Sequence, residues 1–323
     1  MSAAATVGPK EGKGPLAGCF DDILPDDLLG CDTWEQAESE MMRRTIMRCI
    51  EKAGLCPEQV EIMMAGDLLN QIAASGFCAR AMGRPFVGLY GACSTMIEAL
   101  LLGAALVDGG YRENAVCSAS SHFCTAERQF RFPVELGNQR PPSAQWTATA
   151  AGAVLISARP AGAMARITCG TFGVVTDYKI KDANHMGAAM APAVAGTLCA
   201  HLTDTRRTAE DYDLVVTGDL GLIGRKILLE LLRERGVRVR EEALFDCGAN
   251  LYSPEQDAHA GGSGCGCIAS VLCGKFLPDL KRGAIKRALV LGSGAMLSPT
   301  TTMQGESIPS ISYAVALEGA EEE

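Results

Sequence analysis

The stretch "YGACSTMIEAL", residues 90–100, places a cysteine where a short apolar segment ends and a helix of small residues begins. Thr95 and Glu98 have the spacing of a capping box, which predicts a helix start just after Cys93. Free N–H groups and the dipole at a helix start favour thiolate, and the same N–H groups can form an oxyanion hole. Two interpretations of Cys93 are open: a catalytic nucleophile, or a small residue that lines a pocket.

The surrounding sequence repeats itself. The tripeptide Gly-Asp-Leu at 66–68 recurs at 218–220, an offset of 152 residues, with an acidic turn and an apolar strand before each copy. A later strand pattern at 109–120 recurs at 282–293, an offset of 173 residues. The difference of 21 residues falls around "CGANLYSPEQDAHA" in the second half. By the larger offset, Cys93 aligns with Gly266 in the glycine- and cysteine-rich stretch "AGGSGCGC".

Alternation of strands and helices predicts an α/β fold with parallel strands and crossover helices. The repeat predicts two copies of one such unit around a pseudo-twofold axis, an N-terminal half at 1–160 and a C-terminal half at 161–323. We therefore expect Cys93 and the stretch 264–267 to lie close together where the halves meet.

Composition excludes several classes of function. The net charge is −9 and no basic stripe is visible, which argues against nucleic-acid binding. The first twenty residues contain no apolar core segment, and no uninterrupted apolar run reaches the length of a membrane span. We expect no transmembrane segment, a cytosolic setting and fourteen reduced cysteines, since most of them lie in apolar surroundings.

A set of further stretches carries a family resemblance, which covers the chain from about residue 6 to residue 317. They are "AGDLLNQ" (65–71), "GACST" (91–95), "SSH" (120–122), "TAERQFRFP" (125–133), "AMAPA" (189–193), "DYDLVVTGDL" (211–220), "AGGSGCGC" (260–267) and "MLSP" (296–299). Together they resemble the stage V sporulation protein AD family, and the duplicated unit with its cysteine resembles the thiolase fold of thiolases and ketoacyl synthases.

The resemblance implies a thiolase-like αβαβα layered fold and a sporulation protein that binds dipicolinic acid (pyridine-2,6-dicarboxylic acid). It further implies a part in moving that acid into the developing spore, at the cytoplasmic side of the spore inner membrane, with membrane proteins of the same operon as partners. A homodimer is expected by analogy with the fold. No cofactor is expected, although calcium could accompany dipicolinate.

The alternative is an active acyltransferase that uses Cys93. Condensing enzymes of this fold place histidine and asparagine, or two histidines, near their cysteine. The turn after the strand "DLVVT" holds Gly218 and Asp219 instead, and a carboxylate there opposes the formation of a carbanion. His259 could supply a second partner, but the family pattern does not fix a histidine there. The sequence therefore predicts a condensing-enzyme pocket without its full acid/base set.

Dipicolinate is flat and carries two carboxylates, so its site needs a narrow slot and hydrogen-bond donors. His122 ends a predicted strand and could donate to a carboxylate, although a structural role is the favoured interpretation. Arg128 and Arg131 could bind the dicarboxylate bidentately or form structural ion pairs, for instance with Glu127 or Glu135. The candidate ligand-binding residues are Cys93, His122, Arg128, Asp219, Asp257, His259 and Cys265. No zinc-type spacing is present, so no metal site is predicted.

Overall fold

The structure is a computed structural model that describes residues 1–130, 140–159 and 162–320. The strands of the first half form one sheet together with the N-terminal strand; these are β1 (Ser2–Val7), β2 (Asp22–Ile23), β3 (Ile62–Gly66), β4 (Phe86–Gly88), β5 (Asn114–Ser121) and β7 (Ala150–Ser157). A second sheet contains β8 (Ala165–Phe172), β9 (Leu214–Thr217), β10 (Leu244–Asp246), β12 (Arg287–Ala295) and β13 (Ser310–Gly319). Two short strands, β6 (Trp146–Thr147) and β11 (Gly262–Ser263), pair with each other.

The helices connect and cover these sheets. In the first half they are α1 (Trp34–Lys52), α2 (Ala73–Met82), α3 (Thr95–Asp108) and α4 (Phe123–Phe130). In the second half they are α5 (Met186–Thr205), α6 (Gly221–Glu234), α7 (Cys247–Leu251), α8 (Cys265–Val271), α9 (Leu277–Lys281) and α10 (Pro299–Met303). Thr33 caps α1 by accepting a hydrogen bond from the Gln36 N–H.

The two sheets have the same topology. In the first sheet five strands run in the order β1-β7-β5-β3-β4, and in the second their counterparts run β8-β13-β12-β9-β10. Each equivalent pair of neighbours also has the same direction: the first two pairs are antiparallel and the last two parallel. The predicted duplication is therefore confirmed. The boundary expected between residues 160 and 161 falls on residues outside the described part and stays a prediction.

The layers are αβαβα. α1 packs on the outer face of the first sheet, and α5 and α6 cover the outer face of the second. α3 lies between the sheets and contacts strands of both, while α8 packs beside α3 against the first sheet. Strands β3, β5 and β12 are almost completely buried, as their near-continuous apolar or small residues predict for strands covered on both faces.

α5 is 20 residues long with a mean hydropathy of 1.2, so by length and composition it could cross a membrane. In this fold 67% of that apolar stretch is buried against β12, β13 and α6. Buried core helices can have the same length and hydropathy as a membrane span, and the packing of α5 accounts for its apolar composition.

The start of α3 differs from the prediction in one respect. The capping box of Thr95 and Glu98 does not form: the Thr95 hydroxyl donates to the Ala92 carbonyl and accepts from the Gly91 N–H. Glu98 Oε2 is buried without a hydrogen-bond partner among the described residues. A short 3₁₀ turn at Ala92–Ser94 precedes the helix and carries Cys93.

Candidate functional site

A narrow cavity opens beside Cys93, where the two halves meet. The space open to the centres of water molecules is about 60 Å³. Its walls come from both halves and include a few polar side chains among many apolar ones. The lining residues are Leu68, Tyr90, Ala92, Cys93, Ala126, Glu127, Phe130, Gln145, Thr147, Ala183, Asn184, Met186, Met190, Ser263, Ala295 and Leu297. This narrowness suits a flat molecule better than a bulky one.

Cys93 faces the second half across the cavity. Its Sγ atom lies 4.0 Å from the Ser263 hydroxyl, directly before the start of α8. Gly264 has a φ of 101°, and a Cβ there would lie 2.6 Å from the Ser121 hydroxyl, so only glycine permits this approach. The alignment of the two halves predicts this meeting of Cys93 and the glycine-rich stretch, and the structure confirms it.

Asp219 anchors the floor of the site. Its Oδ2 accepts hydrogen bonds from the Ser263 hydroxyl (3.0 Å) and from the Gly264 N–H (2.7 Å), and its Oδ1 accepts one from the Ser293 hydroxyl (2.8 Å). The side chain is completely buried, and this burial raises its pKa to about 6. Asp219 thus ties together α8, β12 and the turn after β9.

The thiol of Cys93 is held in its neutral form. Burial raises its pKa well above the ordinary value, and the nearby Asp219 carboxylate raises it further. The helix start therefore does not produce a thiolate here, because desolvation and like charge outweigh it. The cavity walls within the described residues contain no histidine, lysine or arginine.

His122 is occupied by backbone groups. Its Nε2 lies 2.8 Å from the Asp27 carbonyl, and its Nδ1 accepts from the Cys124 N–H at 3.2 Å. It is 1% exposed and does not line the cavity, and burial lowers its pKa. Both nitrogens are used within the protein, which favours the structural reading over the ligand-binding one.

Arg128 lies on the surface, with its side chain 53% exposed, and pairs with Glu35 above the Trp34 ring. The ion-pair interpretation of this residue is therefore the one that the structure supports, with Glu35 as the partner. Arg131 and Glu135 lie outside the described residues.

Asp257 and His259 form a separate cluster. The Asp257 carboxylate lies 3.0 Å from His259 Nε2 and 3.1 Å from the Arg140 guanidinium, while His259 Nδ1 is 2.9 Å from the Pro141 carbonyl. Arg140 lies over the Trp146 ring. Trp146 and the cavity residue Thr147 are neighbours on a strand, so their side chains point to opposite faces. Neither Asp257 nor His259 lines the cavity.

Cys265 is buried behind the cavity. Its thiol donates to the Ser120 carbonyl at 2.8 Å, and burial raises its pKa well above the ordinary value. It forms no disulfide with Cys267, and all fourteen cysteines are free, in agreement with the prediction. Of the seven candidate residues, only Cys93 lines the cavity, with Asp219 directly behind it.

Sequence reasoning missed several polar wall residues, chiefly Gln145, Thr147 and Asn184. Gln145 donates to the carbonyls of Asp219 (2.8 Å) and Gly262 (2.7 Å), which fixes β6 against the second half. The available signal was weak, because β6 is two residues long and pairs with a strand more than 100 residues away. Within the described residues no group of three or more His, Cys, Asp and Glu side chains is placed to hold a metal ion.

Comparisons with known proteins support this description of the fold. The human mitochondrial 3-ketoacyl-CoA thiolase superimposes with a TM-score of 0.62 at 14% identity, over 99% of this chain and 98% of that one. The 3-oxoacyl-[acyl-carrier-protein] synthase III of Aquifex aeolicus VF5 superimposes with a TM-score of 0.59 at 12% identity, over 98% of both chains. The fold is thiolase-like, as predicted.

Sequence comparison is more specific. The family model for Stage V sporulation protein AD (SpoVAD) matches residues 1–318. The protein named "Stage V sporulation protein AD" of Bacillus subtilis (strain 168) is 42% identical over 319 residues, which cover 99% of this chain and 94% of that protein. The resemblance seen in the sequence motifs is confirmed, and the chain belongs to the stage V sporulation protein AD family.

Proposed function

We propose that this sporulation protein binds dipicolinate in the cavity beside Cys93 and supports its uptake into the developing spore. The observation that carries the proposal is the character of the site: a thiolase-like cavity whose cysteine is a neutral thiol beside a buried carboxylate. Such a site is poor at nucleophilic chemistry, yet its shape and donors remain available to a ligand.

The cavity offers neutral hydrogen-bond donors to a flat dicarboxylate. The Cys93 thiol and the Asn184 amide border it, and so does the Thr147 hydroxyl, which donates to Glu127 at 3.5 Å in the absence of a ligand. Small side chains such as Ala92, Ala126 and Ala183 leave room for an aromatic ring in a narrow slot.

Charge is the main difficulty for this ligand. The cavity walls within the described residues contain the acidic Glu127 and no cation, so a dianion gains no ion pair there. The donor set does not fit a resident calcium ion, which takes six to eight oxygen ligands, because Glu127 is the sole carboxylate among the described wall residues. Calcium would therefore enter as part of the ligand, with dipicolinate and water filling its coordination sphere.

Calorimetric titration with dipicolinate, with and without calcium, tests the proposal. We expect binding in both titrations and at least tenfold tighter binding with calcium, because the ion neutralises the ligand before it meets the acidic wall. Pyridine-2-carboxylate, which lacks one carboxylate, is the matched control ligand. Absence of heat in both titrations, at protein concentrations where millimolar affinity is visible, would rule the proposal out.

The second candidate function is acyl transfer, favoured by the position of Cys93 at a helix start and by a fold shared with condensing enzymes. The raised thiol pKa and the carboxylate of Asp219 weigh against it. Incubation with acyl-CoA followed by intact-mass analysis distinguishes the two functions. Acylation at Cys93 with turnover would establish the enzyme, and an unmodified mass agrees with a binding protein.

The proposal includes peripheral attachment at the cytoplasmic side of the spore inner membrane, through membrane proteins of the same operon. It is supported by the family membership and by the burial of the one membrane-length apolar helix among the described residues. Fractionation of spores in the presence and absence of those membrane proteins tests it. Release from the membrane fraction in their absence is the expected result.

A further inference from the structure

The cavity beside Cys93 adjoins a surface groove. The groove is lined by Leu69, Asn70, Gln71, Ile72, Gly88, Leu89, Tyr90, Gln129, Phe130, Met296, Leu297, Ser298 and Pro299, and about 430 Å³ within it is open to the centres of water molecules. Three of these residues, Tyr90, Phe130 and Leu297, also line the cavity. At these wall residues, cavity and groove are separated by the thickness of a single layer of side chains.

The turn between the cavity and the groove has an unusual backbone. Gln71 and Ile72 have φ values of 56° and 48°, in the left-handed region that a β-branched residue rarely adopts. The turn is tied to α4, because Gln129 accepts from the Asn70 N–H and donates to the Leu68 carbonyl, both at 3.0 Å. This arrangement turns Leu68 towards the cavity and its successors towards the groove. Strain retained at such a position indicates that the local shape matters.

The cavity wall also reaches the surface on a side that the groove does not share. Glu127, Asn184 and Met186 line the cavity but not the groove, and all three are partly exposed. The groove contains no charged side chain among its described residues and offers the amides of Asn70 and Gln71. Neutral donors can hold a carboxylate without the tight ion pair that would slow its release.

We propose that the wall of Tyr90, Phe130 and Leu297 is a second mouth of the cavity, so that a planar aromatic carboxylate enters at one opening and leaves at the other. Tyr90 is 41% exposed, and its hydroxyl makes no hydrogen bond within the described residues, so its ring can turn without breaking one. The identity of the ligand rests on the proposed function. The existence of the passage is independent of the proposed function.

The Cys93 thiol is the reporter for the passage. Methyl methanethiosulfonate, a small neutral thiol reagent, is applied at pH 9, and modification is followed at the peptide that contains Cys93. Ser298→Trp narrows the groove, Asn184→Trp narrows the other opening, and the double variant narrows both. Rates through two separate mouths add, so each single variant should slow modification measurably but leave more than a tenth of the parent rate, and the double variant should slow it more than tenfold. Tyr90→Ala, which thins the wall, should speed it at least threefold.

Met303→Trp is the matched control, because Met303 lies on α10 near the groove, is 76% exposed and lines neither space. The exposed Cys56 reports on the reagent itself and should react equally in all variants. Thermal unfolding confirms that each variant is folded. Complete loss of modification in Asn184→Trp alone, or no effect of Ser298→Trp, would show a single mouth and overturn the proposal.

A second measurement uses dipicolinate. Stopped-flow release from Tyr90→Ala should be faster than from the parent, with Met303→Trp unchanged. If the parent does not bind dipicolinate at all, the proposed function fails while the thiol measurement still decides whether the passage exists.

Discussion

At the scale of single residues, Cys93 and Asp219 decide what the cavity can do. The thiol borders the cavity, and the carboxylate behind it already accepts three hydrogen bonds from the protein. Ionising the thiol would place a second negative charge beside the first in a dry setting. Size and weak donor strength are therefore the properties of Cys93 that a ligand can use.

Replacing Cys93 tests this view of the thiol as a wall. Cys93→Trp should abolish dipicolinate binding, because the indole fills the slot. Cys93→Ser should keep binding within about tenfold, roughly 1.4 kcal/mol, since the hydroxyl has similar size and also donates. Calorimetry with the parent, both variants and the surface control Cys56→Trp checks it. Unchanged affinity in Cys93→Trp, shown to be folded by thermal unfolding, would place the ligand elsewhere.

Glu38 is a buried carboxyl with consequences for stability. It accepts hydrogen bonds from Ser120 and Thr125, and burial together with the neighbouring Asp67 raises its pKa to about 8. A carboxyl whose folded-state pKa exceeds the unfolded value of 4.5 stabilises the fold fully below that value. The contribution is lost as the pH rises through the folded-state pKa.

Glu38→Gln should therefore flatten the dependence of stability on pH. Between pH 5 and pH 8 the parent should lose at least about 1.4 kcal/mol more unfolding free energy than the variant. Glu40→Gln is the control on the same helix, because ion pairs with Arg43 and Arg44 lower the pKa of Glu40 to about 2, outside this window. Urea unfolding at both pH values is the measurement. Parallel profiles for the parent and Glu38→Gln would contradict the argument.

The sequence could not assign the side chains at strand ends. It correctly placed Cys93 and Asp219, because both follow from the alignment of the halves. It gave ligand roles to His122 and Arg128, whose partners Asp27 and Glu35 lie about 90 residues away along the chain. Which way a side chain turns, at the end of a strand for His122 or on a helix for Arg128, depends on such distant partners, and no local pattern encodes them.

At the scale of elements, close packing between α8 and the first sheet depends on glycine. A Cβ on Gly152 of β7 would lie 2.3 Å from the Ala269 carbonyl, and one on Gly266 would lie 2.2 Å from the Ala150 carbonyl. The helix therefore rests directly on the backbone of the strands, which holds the start of α8 against the cavity. Most elements of this layer are predictable, since their small residues and apolar runs are visible in the sequence. The short distance between α8 and the strands could not be predicted in this way.

Gly152→Ala should destabilise the protein by about 1–3 kcal/mol, because backbone atoms must move to admit the methyl group. Gly76→Ala is the matched control. Gly76 lies within α2 with nothing within 4 Å of the added Cβ, so alanine there should stabilise the helix by about 0.5–1 kcal/mol. Thermal unfolding of the two variants should shift in opposite directions. A neutral Gly152→Ala would mean that α8 packs more loosely than described.

At the scale of the whole molecule, the fold leaves an apolar surface beside the edge strand β8. Phe172, Val174, Val175 and Tyr178 are each more than half exposed, and Val174 is 80% exposed. The four residues lie within a seven-residue stretch, and exposed apolar patches are typical of protein–protein contacts. A homodimer, the usual state of the fold by analogy, would give this surface a partner.

Val174→Glu tests whether this surface joins two copies. We expect the parent to have the mass of a dimer by light scattering after gel filtration, and the variant to shift towards the 33.9 kDa monomer at low micromolar concentration. Met303 on α10 is similarly exposed to Val174, at 76%, so Met303→Glu is the matched control and should leave the mass unchanged. A monomeric parent would leave the surface without this role, and a dimeric variant would place the interface elsewhere.

The duplication was readable from the sequence because both halves retain the strand, Gly-Asp and helix order. Two features of the fold could not be predicted from the sequence. The paired residues of β9 and β10 are six positions further apart in the sequence than the paired residues of β3 and β4. Six of the 21 extra residues therefore precede β10, and the insertion is spread more widely than the stretch 247–260. The pairing of β6 with β11 beside the cavity has no counterpart among the strand pairs of the described residues.

The contact of Cys93 with Ser263 spans 170 residues of sequence, and β6 meets β11 across a similar gap. Contacts this distant form only after long loops have closed, and that closure slows folding. The sheets can assemble within each half, but the cavity exists only once the halves have docked. Refolding chains should therefore regain secondary structure before they regain a ligand site, and a nascent chain has none until the second half has been synthesised.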